Sequence, residues 1–465
     1  MLFSSLTFLC LFLPLTVGAY YSFKTNKARN VVLLLFSLVF YGWGEPKLIL
    51  LMLGLLVINY FLALIMDSKE GNKRKMLLWI IVAINLGTLF YFKYFNFALE
   101  NINRLFGTTL TSNVILPIGI SFYLFQILSY VIDVYRKEVC AQRNFLLLST
   151  YISLFPQLIA GPIVRYQTIE LQLKERKENW DLFNSGIRRF VIGLGKKVII
   201  SNNVAIIADM VFAKTPLNQL NFFLAWIGAI AFTLQIYFDF GGYSDMAIGL
   251  GKMFGFEFLE NFDHPYVSKS ITEFWRRWHI SLGSWFRDYV YIPLGGNRCS
   301  KSRHIFNILV VWALTGLWHG ASWNFVIWGL YFALILIIEK YFINKFSSKI
   351  PAFVRWFFTM LLVIFGWVIF NSSSFTQIIA MFKNMFDFES MITFNQIKNM
   401  RIIYLWPYFV LGFIFSFPVR SKIQKYIMKF KYGNIIIDLF LLVVMYWSVV
   451  LLINNSYNPF IYFRF

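Results

Sequence analysis

Continuous apolar stretches, each near the length of one bilayer crossing, recur from one end of this chain to the other. Residues 48–66, 76–92, 222–240 and 357–370 are the clearest of them. A helix needs about 20 apolar residues to cross a hydrocarbon core of about 30 Å. Only 14% of the 465 residues are charged, against about 25% in soluble domains. No sizeable soluble domain therefore fits between the stretches. The expected fold is an all-α polytopic membrane protein with roughly 11–12 transmembrane helices plus re-entrant and interfacial helices.

The net charge of +21 does not point to nucleic acid, because no basic domain stands apart from the apolar stretches. Lysine and arginine collect in loops instead, as in the cytoplasmic loops of bacterial membrane proteins. The opening "MLFSSLTFLCLFLPLTVGAYYSFKTNKARN" has the length of a signal peptide, but its charges (Lys24, Lys27 and Arg29) follow the apolar run. It reads as an uncleaved first span that starts outside. Alternation from there puts both termini outside and "RSKIQKYIMKFKYG" in the cytoplasm. One stretch resists the alternation: residues 145–165 are apolar, yet basic segments flank them on both sides. Ends on one side imply a re-entrant segment, broken at Pro156, Gly161 and Pro162. Irregular backbone at depth must be covered by protein or water. Cys10, Cys140 and Cys299 are far apart and odd in number, which offers neither a disulfide framework nor a zinc site.

The stretch "LTGLWHGASWNFVIWG" (residues 314–329) sets His319 among tryptophans and glycines. The apolar residues before it, 305–318, rise only about 21 Å as a helix. His319 and Gly320 are thus expected beneath the outer surface, at the tip of a short hairpin. An ionisable group at such depth is costly and marks a functional site. A histidine satisfied by a backbone carbonyl, merely packing the turn, fits the same position.

The most polar segment, "SKSITEFWRRWHISLGSWFRDYVYIPLGGNR" (residues 268–298), carries Trp275, Trp278 and Trp285 among Arg276, Arg277 and Arg287. This suits helices lying in the cytoplasmic interface and anchored to anionic headgroups. The other reading is a receiving site for a phosphorylated donor. It would use the guanidinium charges and the exposed backbone N–H groups of the "GGNR" turn, with His279 beside it. Asp239 and Asp245, in "QIYFDFGGYSDMAIG", suit capping or ion pairing better than catalysis. The four histidines show no ligand spacing, so no metal is expected. Neither a nucleophile elbow nor a Walker loop occurs.

Three segments, "FDFGGYSDMAIGLG" (238–251), "EFWRRWHISLGSWFRDYVYIPLGGNR" (273–298) and "LWHGASWNFVIWG" (317–329), with the closing "PFIYFRF" (459–465), resemble the membrane-bound O-acyltransferase family. The resemblance is to the bacterial branch that O-acetylates alginate and peptidoglycan. It implies one membrane domain over residues 1–465, a ring of tilted helices around a thinned centre where a cytoplasmic tunnel meets an outer funnel. Residues 1–114 would be N-terminal helices, 115–342 the catalytic core, and 343–465 C-terminal helices with an outer-face tail. The family's near-invariant histidine corresponds to His319 and its second polar position to His279. Arg276, Arg277 and Arg287 would lie toward the donor.

The implied chemistry is transfer of an acetyl group across the bacterial inner membrane, from a cytoplasmic thioester to a cell-envelope polysaccharide. The donor would be acetyl-CoA, with no permanently bound cofactor. An extracytoplasmic partner acetyltransferase of hydrolase-like type would complete the transfer, and membrane lipids would surround the protein. In related systems a C-terminal tyrosine near the outer funnel carries the acyl group transiently, which points to Tyr462. An aromatic anchor at the membrane edge is the other reading of that residue. Two alternatives stand beside this function: D-alanyl transfer to teichoic acid, and a non-catalytic polysaccharide transporter. The lack of inverted repeats weighs against the transporter.

Overall fold

The computed structural model describes residues 1–390, 402–454, 458, 460 and 461. Among these residues every regular element is helical, in line with the expected all-α class. Among the described residues seven helices are long and apolar enough to cross a membrane: Ile49–Asp67, Gly71–Phe106, Trp180–Lys214, Phe222–Met253, Trp323–Lys345, Ala352–Asn371 and Gly433–Asn454. Three shorter apolar helices, Phe8–Tyr21, Ile120–Tyr135 and Tyr404–Ser416, accompany them. Other helices on the expected path are charged at an end. Asn26–Gly44, for example, opens on Lys27 and Arg29.

The chain divides into two compact units, residues 1–190 with 246–259, and residues 191–245 with 260–465. In the first unit the apolar stretch 145–165 is broken as its prolines and glycine require. Helix Phe145–Ser153 stops at Leu154, a short turn Phe155–Leu158 follows, and a new helix starts at Tyr166. Side chains satisfy the interrupted backbone: Phe155 N–H donates to Ser37 Oγ at 3.0 Å, and Tyr151 Oη–H donates to the Val164 carbonyl at 2.9 Å. Residues 148–164 are buried throughout, so protein covers the irregular stretch. The same unit buries Arg176, whose Nε donates to Tyr20 Oη at 2.8 Å and whose guanidinium lies 4.6 Å from the Phe256 ring centroid.

In the second unit the hairpin around His319 consists of helices Lys301–His319 and Trp323–Tyr341. Two glycines let their backbones touch. A Cβ at Gly316 would overlap the Phe325 carbonyl oxygen, and one at Gly329 would overlap that of Trp312. Small residues at a helix–helix contact permit close approach where lipid supplies no hydrophobic drive between helices. The first helix is one turn longer than its apolar residues suggest. It has 19 residues and rises about 28 Å. Ser300 caps it, its Oγ accepting from Arg303 N–H, so the helix begins among cations.

Candidate active site

His319 is the last residue of its helix, and Gly320 takes up extended backbone immediately after it. The tip is thus where the sequence places it. Four rings decide the environment. The imidazole lies 5.1 Å from Trp318, 5.1 Å from Trp328 and 5.3 Å from Phe370, each nearly perpendicular to it. Trp367 backs this collar, 5.7 Å from Phe370 and 6.1 Å from Trp328. Phe370 and Trp367 come from helix Ala352–Asn371, which joins the hairpin through Asn324 Nδ2 donating to the Phe370 carbonyl at 3.3 Å. The result is a buried imidazole in an aromatic surround.

His279 reaches the same collar from another direction. Helices Ile271–Arg277 and Ile280–Phe286 meet at His279, whose φ of 47° lies in the left-handed region. For a residue with a Cβ this costs roughly 1–3 kcal/mol and persists only where surrounding structure imposes it. Asn261 imposes it here. Its carbonyl accepts Ile280 N–H at 3.0 Å, and its Oδ1 accepts Ser281 N–H at 3.1 Å and Ser281 Oγ–H at 2.9 Å. At the other end the buried Glu339 carboxylate caps the first helix, accepting the N–H groups of Ile271 at 2.6 Å and Thr272 at 3.0 Å. The imidazole of His279 is thereby held 5.7 Å from the ring of Trp318, the tryptophan that also packs on His319. Trp318 thus packs against both histidines.

The tryptophans of the 268–298 segment differ from expectation. Trp278 and Trp285 are buried, and Trp275 packs against Trp312 at 4.7 Å and Phe332 at 4.9 Å. Trp278 lies 4.8 Å from Trp367. Trp275 and Trp278 are core, not a lipid-facing belt: helix Ile271–Arg277 is held by Glu339 of the hairpin, which turns Trp275 onto the hairpin's rings and lets Trp278 meet Trp367 of helix Ala352–Asn371. The arginines point elsewhere. Arg277 pairs with Glu273 and Asp263, both at 3.1 Å, Arg287 pairs with its neighbour Asp288 at 2.6 Å, and Arg276 is exposed. Tyr462 lies outside the described residues. Trp367 and Phe370 escaped the sequence reading, since in a chain that is 20% aromatic nothing marks these rings as neighbours of a histidine.

Burial pushes the imidazole of His279 down to about 3. The ring is therefore neutral throughout the physiological range, and proton uptake by the unfolded chain, near 6.5, opposes folding in acid. Stability from this residue is complete above pH 6.5 and is lost as pH falls from 6.5 toward 3. Melting curves in detergent are expected to shift downward between pH 6.5 and 4. The shift should be smaller in His279→Asn, which tolerates the left-handed backbone. Equal acid shifts in both proteins would refute this assignment.

The family model described as MBOAT, membrane-bound O-acyltransferase family, matches residues 38–382. The chain belongs to this family, and it is a multi-pass membrane-bound O-acyltransferase. It is 41% identical over 443 residues to the probable alginate O-acetylase of Pseudomonas aeruginosa, covering 91% of this chain and 84% of that one. To the peptidoglycan O-acetyltransferase of Helicobacter pylori it is 33% identical over 482 residues, covering 92% of this chain and 90% of the other. A teichoic acid D-alanyltransferase of Bacillus subtilis is 30% identical over 285 residues, which cover 57% of this chain and 70% of the relative.

Proposed function

We propose that this protein passes an acetyl group from a cytoplasmic thioester, acetyl-CoA, across the bacterial inner membrane for O-acetylation of a cell-envelope polysaccharide such as alginate or peptidoglycan. The observation that carries the reading is the buried imidazole of His319 at a hairpin tip, enclosed by Trp318, Trp328 and Phe370. A neutral imidazole in such a surround suits a general base toward a hydroxyl. In the proposed step His319 takes the proton of the acceptor hydroxyl, and the oxygen attacks the thioester carbonyl. The C–S bond breaks, and the leaving thiolate takes the proton back from the imidazolium. His279, which also packs on Trp318, would orient the thioester. Arg276, with Arg277 and Arg287, would receive the donor's phosphates on the cytoplasmic side. The tail hydroxyl of Tyr462 would be the first acceptor, and a hydrolase-like acetyltransferase outside would move the group to the glycan. In this reading both termini would lie outside, and residues 1–465 would work as one membrane domain.

The match to O-acetylating relatives over 91–92% of this chain favours acetyl over D-alanyl, since the D-alanyltransferase match covers 57% of it. Proteoliposomes given acetyl-CoA labelled in the acetyl group are expected to retain label covalently on wild-type protein. Tyr462→Phe should lose at least nine-tenths of it. Label retained by Tyr462→Phe would remove the relay and keep the enzyme. Absence of any transfer from acetyl-CoA with the partner present would favour a carrier-protein donor.

A further inference from the structure

We propose that the buried Lys197–Asp239 ion pair is the seat that holds the chain's own C-terminal segment and so fixes where the residue after Ile461 is presented. Lys197 falls midway along helix Trp180–Lys214, and Asp239 near the middle of helix Phe222–Met253; both helices are long and apolar enough to cross a membrane. Nζ and Oδ1 are 2.6 Å apart, with side chains 2% and 1% exposed. Charged groups in such a place are costly and mark function by default. They persist when further hydrogen bonds satisfy the lone pairs the ion pair leaves over.

The tail supplies those bonds. Ile461 N–H donates to the second carboxylate oxygen, Asp239 Oδ2, at 2.9 Å. The ring centroid of Phe460 lies 5.8 Å from Lys197 Nζ, within cation–π range. Phe460 also packs on Tyr243 at 4.9 Å, and Asn202 Nδ2 donates to Asn458 Oδ1 at 3.1 Å. Ile461 is buried and joins the apolar cluster that contains Trp328, Trp367 and Phe370, the rings around His319.

Local structure on both helices serves this pair. A π-turn over Lys196–Ser201 presents two consecutive lysines to helix Phe222–Met253, Lys197 to Asp239 and Lys196 to Asp245 at 2.7 Å. Such turns recur at functional sites. One turn beyond Asp239, a Cβ at Gly242 would come within 2.8 Å of the Gly193 carbonyl oxygen, so the helix backbones touch there. A pair that only fastened two helices would not engage the backbone of a third segment. The seat stands on this geometry alone; its consequence for catalysis rests on the relay reading of Tyr462 proposed above.

The test begins from a chain carrying Ile461→Cys, with Cys10, Cys140 and Cys299 changed to serine. A membrane-impermeant maleimide reports how firmly the tail is seated. Lys197→Leu/Asp239→Leu removes both charges together, so neither is left buried and unpaired. With melting unchanged, labelling is expected to quicken at least tenfold and acetyl transfer to fall at least tenfold. Unchanged labelling would overturn the seat.

Should the double variant fail to fold, Ile461→Pro deletes the tail's N–H together with the isoleucine side chain, Ile461→Ala serves as the side-chain control, and neither changes the membrane helices. Ile461→Pro is expected to speed carboxypeptidase trimming of the tail and to lower transfer at least tenfold; trimming and transfer at wild-type rates would overturn the seat. If Tyr462→Phe keeps full transfer while the double variant still frees the tail, the relay fails and the seat stands.

Discussion

His319→Ala is expected to lower acyl transfer by about 10³-fold, inside the 10²–10⁴-fold range that a general base contributes, while leaving the protein folded. The second half of that expectation comes from the packing. Trp328, Trp367 and Phe370 contact one another at 5.2–6.1 Å, so the collar does not depend on the imidazole to stay closed. Alanine leaves a hole of imidazole size at the hairpin tip. Added imidazole should therefore restore part of the activity of His319→Ala, and should do nothing for wild type. Transfer from labelled acetyl-CoA in proteoliposomes, with a thermal melt of the same preparation, checks both parts. Rescue would mark the ring as chemistry. Full activity of the alanine variant would reduce His319 to packing.

Gly329→Ala is expected to abolish transfer by a different route, with every proposed catalytic group still present. The added Cβ would overlap the carbonyl oxygen of Trp312, which is backbone and cannot rotate away. The two hairpin helices would have to separate, and overpacking of this kind costs about 1–3 kcal/mol. Separation shifts the aromatic wall on Trp323–Tyr341 relative to His319 on the facing helix. A melting temperature lower by roughly 1–3 °C is expected, together with loss of activity that imidazole does not restore. Gly316→Ala should behave alike, because its Cβ would meet the Phe325 carbonyl. Gly283, with open space around its Cβ position, is the internal control: Gly283→Ala should melt as wild type does. Wild-type melting and activity in Gly329→Ala would show that the hairpin tolerates a wider spacing.

The pH argument separates the two histidines. His279 stays neutral down to about pH 3, so an inflection in the pH–rate profile of transfer between pH 5 and 8 cannot be its titration. The profile of His279→Asn should keep the inflection of wild type, at a lower plateau.

Much of the architecture was legible in one dimension, because apolar length and charge position are local properties. The helical class, the hairpin tip at His319–Gly320 and the break within 145–165 follow from residue types and spacing. For Asp239 and Asp245 the sequence left capping and ion pairing open near a membrane edge, and the structure shows ion pairs with Asp239 in mid-helix. What spacing could not supply was partnership between distant segments. That Trp318 packs against both His279 and His319, that Asn261 forces His279 into a left-handed backbone, and that Trp275 and Trp278 face a protein core instead of lipid depend on helices brought together across tens of residues. The same holds for Asp239. A carboxylate read locally pairs with some lysine, but only the tertiary structure brings the amide of Ile461, 222 residues away, onto its second oxygen. Hydrophobicity decides which segments become helices; which faces of those helices meet is decided by glycine contacts and by buried polar groups that must find a partner.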